Sequence, residues 1–237
     1  VESFKSLFFT KFQKEIILPM QIRRMPLYQR ILIFLLLLIL AGAAYYQFWF
    51  LRQPERNVPV DPSVFVSPAN GKVAAVVHWY SDSLAWEKDA GVVQVLTKEI
   101  GPEGYLIAIE MDVTNVHYQR APAAGRLIGG SYTEGKFNNA LIMANRFGLR
   151  LENERNDLLF EMKNGLRYKV VQVAGLLARR IVDYVEPGQS VEQGEVIGLI
   201  KLGSQVGLVL PIGAEPLVRA GETVVDGETV LARLAVE

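Results

Sequence analysis

Two textures divide the chain. From Ile31 to Phe50 it reads ILIFLLLLILAGAAYYQFWF, without a single charge. A helix of that length crosses about 30 Å of hydrocarbon. Tyr45, Tyr46, Trp49 and Phe50 gather at one end, where an interfacial aromatic belt belongs. The pattern predicts a transmembrane or membrane-embedded helix over 31–51, preceded by a basic segment over 1–30. A cleaved signal peptide is the alternative. The length of the run, and aromatics in place of a small-residue cleavage site, count against it. Residues 4–18 mix Phe, Leu and Ile with lysines. They suit either an amphipathic helix on a bilayer surface or a solvated tail.

From Pro54 onward short apolar runs alternate with Pro and Gly, as in Gly71–Val77, Tyr105–Ile109 and Gly207–Pro211. Such runs read as strands. Only Gly135–Arg146 looks helical, and then in part. The pattern predicts a mainly β domain over 52–237, built as a closed or partly closed barrel. An internal repeat supports it. Val185–Ile197 and Val218–Val230 both follow G-x-x-V-x-x-G-x-x-[VI], with Gly supplying left-handed backbone angles at two turns per half. Two such halves form the hammerhead of biotinyl and lipoyl carriers. Here the stretch between them reads Lys201-Leu-Gly-Ser-Gln205, not a carrier hairpin with a modifiable lysine.

Composition narrows the chemistry. Lys+Arg and Asp+Glu both number 25, which argues against a nucleic-acid footprint. With no cysteine, disulfides, thiolate metal sites and cysteine nucleophiles are excluded, and no metal site is expected. Only His78 and His117 offer an imidazole. Lys5, Lys11, Lys14, Arg23, Arg24 and Arg30 precede the apolar run, while Arg52 and Arg56 follow it. A true span would leave the N-terminus cytoplasmic and the domain outside. A segment that dips in and returns, or lies along one leaflet, keeps both ends on one side.

Five segments, in order, carry a resemblance. They are Arg52-Gln-Pro-Glu-Arg56, Val66-Ser-Pro-Ala-Asn-Gly-Lys-Val73 and Val116-His-Tyr-Gln-Arg-Ala-Pro122. Gly135-Lys-Phe-Asn-Asn-Ala140 with Asn153-Glu-Arg155 follows, then Val173–Ile181 leading to Leu202-Gly-Ser-Gln205. Together they resemble the phosphatidylserine decarboxylase family, in its short archaeal and bacterial branch, over roughly residues 50–237. The resemblance implies a membrane-bound proenzyme. Its Ser204 hydroxyl attacks the Gly203 carbonyl, the chain is cut between the two, and Ser204 becomes a pyruvoyl group. That self-made cofactor then serves as electron sink for decarboxylation of phosphatidylserine to phosphatidylethanolamine. An archaeal ether-linked serine lipid carries the same headgroup. A catalytic domain on the cytoplasmic face of the cell membrane, and a homodimer, are further expectations of the resemblance.

The same resemblance makes His117 the active-site histidine, base for Ser204 and acid in decarboxylation. His78 has no motif and reads as structural. The long bacterial branch has a second histidine where this chain has Arg120, which becomes a candidate contact for the substrate phosphate. Position 70 departs from the family pattern S-P-A-D-G: Asn70 keeps the turn chemistry of Asp-Gly and loses its charge. The expectation is slow or absent self-cleavage. Two other readings compete: a catalytically silent relative, and a membrane-anchored adaptor acting through its hammerhead domain.

Overall fold

A computed structural model of the chain describes residues 25–80, 97–135, 149, 153–175, 181–201 and 204–235. The surface segment 4–18 and the helical stretch expected from Gly135 lie largely outside them. The chain divides after Trp49 into two units.

In the first unit, helix α1 runs Leu27–Ala44 behind Pro26 and continues as a π-helical stretch, Tyr45–Phe50, whose last residue already belongs to the second unit. The apolar run thus begins its helix four residues before Ile31. Proline fits that boundary because it needs no intrahelical N–H partner there. Leu27–Phe50 is long and apolar enough to cross a membrane, and its apolar window is unburied by protein.

The second unit is mainly β. Its largest sheet is antiparallel and eight-stranded, and it curls as a half-barrel. Its strands are β2 (Gly71–Tyr80), β3 (Glu103–Met111), β5 (Gly125–Thr133), β6 (Arg155–Glu161), β7 (Arg167–Ala174), β9 (Ser190–Val191), β11 (Ser204–Pro211) and β13 (Thr223–Val224). Their order is β13-β2-β3-β11-β7-β6-β5-β9. Two three-stranded sheets complete the unit. One is β1 (Val64–Val66), β14 (Val230–Leu234) and β12 (Ala214–Pro216). The other is β4 (Tyr118–Arg120), β10 (Val196–Ile200) and β8 (Ile181–Asp183).

The repeat explains this symmetry. Gly188 and Gly194 in the first half, and Gly221 and Gly227 in the second, all adopt positive φ. Each half contributes one short strand to an edge of the large sheet, β9 or β13. Each then supplies the central strand of a small sheet, β10 or β14. The halves are therefore equivalent caps on opposite edges of one sheet. They share no strand pairing with each other among the described residues.

Strand β11 sits in the middle and is buried along its whole length. Val206, Leu208 and Leu210 join a core with Phe65, Phe160 and Tyr168, while Val209 packs on the opposite face with Trp79 and Leu106. Period-2 alternation thus feeds two apolar layers, which is why this strand reads as a continuous hydrophobic run. The Tyr168 hydroxyl donates to the Ala123 carbonyl at 2.6 Å, satisfying the one polar atom of that ring.

A buried ion cluster ties remote segments together. The Asp226 carboxylate, fully buried in the second repeat, accepts from Arg56 and from Arg120 Nε at 2.9 Å. Removing that carboxylate would strand two guanidinium groups. Asp226→Ala is expected to destabilise the protein by about 3–5 kcal/mol in denaturant unfolding of the detergent-solubilised chain. A loss below about 1 kcal/mol would show the cluster to be energetically idle.

Candidate active site

Three strand ends meet at Ser204. It opens β11, where it pairs with Met111, the last residue of β3, and with Ala174, the last residue of β7. Ser204 is fully buried, and its hydroxyl donates to the Met111 Sδ at 3.3 Å. A thioether is a weak acceptor, so the hydroxyl is held loosely for a buried group. Gly203, the other side of the expected cut, lies outside the described residues.

After Met111 the chain turns sharply through Asp112–Asn115. The Asp112 carboxylate accepts from the Thr114 backbone N–H at 2.7 Å and from the Thr114 hydroxyl at 2.6 Å. These bonds hold its carboxyl below the ordinary range, against a smaller opposing effect of burial. Arg52 donates to the Thr114 carbonyl at 2.7 Å, so the Arg52–Arg56 motif braces this turn at one end and Asp226 at the other.

The turn delivers His117, which is fully buried. Its Nδ1 lies 2.9 Å from the Asn115 carbonyl oxygen. A carbonyl only accepts, so Nδ1 carries the proton and Nε2 presents a lone pair. That Nε2 is buried and has no hydrogen-bond partner among the described residues. Phe50 covers the ring, its centroid 4.0 Å away at a tilt of 34°. Burial, above all, pulls the imidazole down from 6.5 to about 4; Arg52 adds to the fall, and the Asn115 carbonyl and Asp112 oppose it. At neutral pH His117 is an uncharged base, well oriented and weakened by desolvation.

Position 70 reaches the imidazole through an intermediary. Asn70 Oδ1 accepts from Asn115 Nδ2 at 3.1 Å, and the Asn115 carbonyl holds His117. An aspartate in this place could accept the same bond and add a negative charge. Among the described residues no carboxylate hydrogen-bonds the ring.

Arg120 is committed elsewhere. Its Nε, Nη1 and Nη2 donate to Asp226, to the Gly194 carbonyl at 2.9 Å and to the Pro54 carbonyl at 3.1 Å. With all three nitrogens engaged and the side chain buried, phosphate binding has no geometric support here. His78 lies on β2, bonded to Glu103 at 2.8 Å and stacked on Tyr105. Its Nδ1 lies 3.2 Å from the Tyr80 hydroxyl, so its contacts with Glu103, Tyr105 and Tyr80 are all local to β2 and β3.

Sequence reasoning brought His117, Ser204 and Asn70 to notice but missed Met111, Asn115 and the covering role of Phe50. Phe50 reads with the aromatic belt by sequence, yet it is buried in the second unit. Asn115 stands two residues before His117, and that spacing was its only signal.

Residues 46–232 match the family model described as phosphatidylserine decarboxylase. The chain is 39% identical over 193 residues to the phosphatidylserine decarboxylase proenzyme of Ruegeria pomeroyi, covering 81% of each protein. It is 43% identical over 188 residues to that of Gluconacetobacter diazotrophicus, covering 78% of this chain and 76% of the relative. It is 40% identical over 185 residues to that of Trichlorobacter lovleyi, covering 78% and 75%. With the family model matched over residues 46–232 and relatives about 40% identical over most of their length, the chain belongs to the phosphatidylserine decarboxylase family.

Proposed function

We propose that this chain is a phosphatidylserine decarboxylase proenzyme, anchored to a bilayer by Leu27–Phe50, whose self-cleavage between Gly203 and Ser204 is slowed by Asn70. One observation carries the reading: among the described residues a buried serine hydroxyl bonds to the Met111 thioether, and Gln119 Nε2, 3.9 Å from the same sulphur, donates to the carbonyl of His117, a buried imidazole whose Nε2 lone pair has no partner there. Neither group gains stability from such an arrangement. Both are suited to reaction.

The steps follow from the groups present. Nε2 takes the Ser204 hydroxyl proton, and Oγ attacks the Gly203 carbonyl carbon. The peptide C–N bond breaks as His117 hands that proton to the departing amine, giving an ester and a neutral imidazole. Removal of the residue-204 α-proton breaks the Cβ–O bond and frees the Gly203 carboxylate. Water then replaces the amine nitrogen of the new dehydroalanine, ammonia departs, and a pyruvoyl cap remains. The surroundings fit that group: Met111 and Ala174 flank position 204 at a buried strand end. When present, it supplies the electron sink for loss of carbon dioxide from the substrate serine. His117 would hold and return the proton, and the neighbouring apolar side chains would keep water out.

Asn70 enters at the first step. Taking the serine proton makes His117 cationic inside a site that already opposes its charge. A carboxylate at position 70 would favour the cation through Asn115; an amide does not. Asp-to-Asn exchange beside a catalytic histidine costs about 10⁴ in rate in a serine hydrolase triad.

Two measurements test this. Intact mass under denaturing conditions should give one species for this chain and two fragments for Asn70→Asp, with a rate gain on the order of 10³–10⁴. Ser204→Ala added to Asn70→Asp should stay whole. An Asn70→Asp chain that never cuts would favour the silent relative.

The second concerns pH. The unfolded imidazole binds a proton below about 6.5 and the folded one only below about 4, so the unfolded state takes up more protons between them. Stability from neutral His117 is therefore full above 6.5 and lost as pH falls through 4. The denaturant midpoint of this chain should drop across that window more steeply than that of His117→Gln. Equal slopes would place His117 in contact with water.

A further inference from the structure

We propose that Gln119, Gln172 and Asn156 form a directional hydrogen-bond chain, polarised by Asp183, that positions His117 and the Met111–Ser204 contact. The inference rests on the Ser204–His117 reading above. Gln119, in β4, donates through Nε2 to the His117 carbonyl at 2.7 Å, and the same nitrogen lies 3.9 Å from Met111 Sδ. Gln172, in β7, donates to Gln119 Oε1 at 3.0 Å. Asn156, opposite Gln172 in β6, donates to Gln172 Oε1 at 3.0 Å and to Asp183 Oδ1 at 2.7 Å. The three amides are buried; Asp183 is the solvent-exposed end.

A buried amide has a donor end and an acceptor end, and a row of amides can run in either sense. Both termini of this row accept only. At one end stands the His117 carbonyl, which also receives the Ile200 N–H at 3.2 Å. At the other stands the Asp183 carboxylate. Reversing the row would set Asn156 Oδ1 against the carboxylate and Gln119 Oε1 against the His117 carbonyl, lone pair against lone pair. Only the observed sense satisfies every amide, so Asp183 helps fix which way Gln119 points.

The fold makes room for this row at one position. In β10, Gly198 pairs with Gln119 on one side and Asp183 on the other. A Cβ there would lie 2.6 Å from Gln172 Nε2 and 2.9 Å from the Val182 carbonyl oxygen. Glycine lets the Gln172 amide pass over the small sheet and join it to the large one. Asp183 is then a positioning residue, acting through three amides on the backbone of the base and on the sulphur that holds the serine hydroxyl.

The exposed end allows a test without dismantling the core. In the full-length Asn70→Asp chain, Asp183→Ala should slow self-cleavage about tenfold, the scale expected when reacting groups lose alignment. Asp183→Asn can still offer an oxygen to Asn156, with the His117 carbonyl alone then setting the sense of the row, and should cut faster than Asp183→Ala. Independently, the uncut Ser204→Ala chain in micelles should show slowly exchanging Gln119 and Gln172 side-chain NH₂ signals by NMR. Asp183→Ala should lose that protection and Asp183→Asn should keep it. Unchanged cleavage and unchanged amide signals in Asp183→Ala would overturn the inference, as would equal slowing by Ala and Asn. A parent that fails to cut would sink the self-cleavage reading, and the amide signals would still decide the fate of the chain.

Discussion

The pairing of β11 between β3 and β7 is the constraint on which the rest depends. It buries Ser204 at the mouth of a central strand and sets it opposite Met111 in fixed register. A slip of one residue would turn Ser204 to the other face and put Gln205 in its place. The register is held by the two apolar layers that β11 feeds from opposite faces. The repeat halves cap both edges of the same sheet, so fold stability and site geometry are set by one set of contacts.

Burial then works in two directions at His117. It removes water from the serine and strengthens any interaction with developing charge. It also drags the imidazole down to about 4, making it a reluctant base. The second effect wins when no carboxylate compensates. Asp112 is close enough to raise the imidazole slightly, yet its Oδ1 is occupied by both Thr114 donors. The side chain at position 70, one hydrogen bond beyond Asn115, is where a compensating charge would act.

Much of this was legible in the sequence because its signals are local. The apolar run needed only length and the absence of charge. The repeat glycines needed only spacing, and all four adopt the left-handed angles the turns require. The motifs around His117 and Ser204 were recognised as an ordered set. What stayed hidden depends on pairing between distant strands. Met111 is an ordinary strand residue until β11 sets Ser204 beside it. Arg120 invites a ligand by charge alone, and only the fold reveals Asp226, over a hundred residues away, as its partner. Phe50 belongs by pattern to the apolar run and by packing to the catalytic unit.

The polar groups near the site share a restraint. Asn70, Asn115, Gln119, Gln172 and Asn156 are all neutral amides, where carboxylates or cations could make comparable bonds. A buried charge within reach of His117 would change its basicity directly, and a buried cation without a partner would cost several kcal/mol. Amides hold geometry without setting potential. The charges that do exist nearby are fastened elsewhere: Asp112 to Thr114, Arg52 to the Thr114 carbonyl, Arg120 to Asp226. Asp183 closes the amide row from its exposed end. Alignment and charge are thus handled by different residues. An exchange between Asp and Asn at position 70 can then alter how readily His117 takes a proton while leaving the surrounding hydrogen bonds, and the fold, in place.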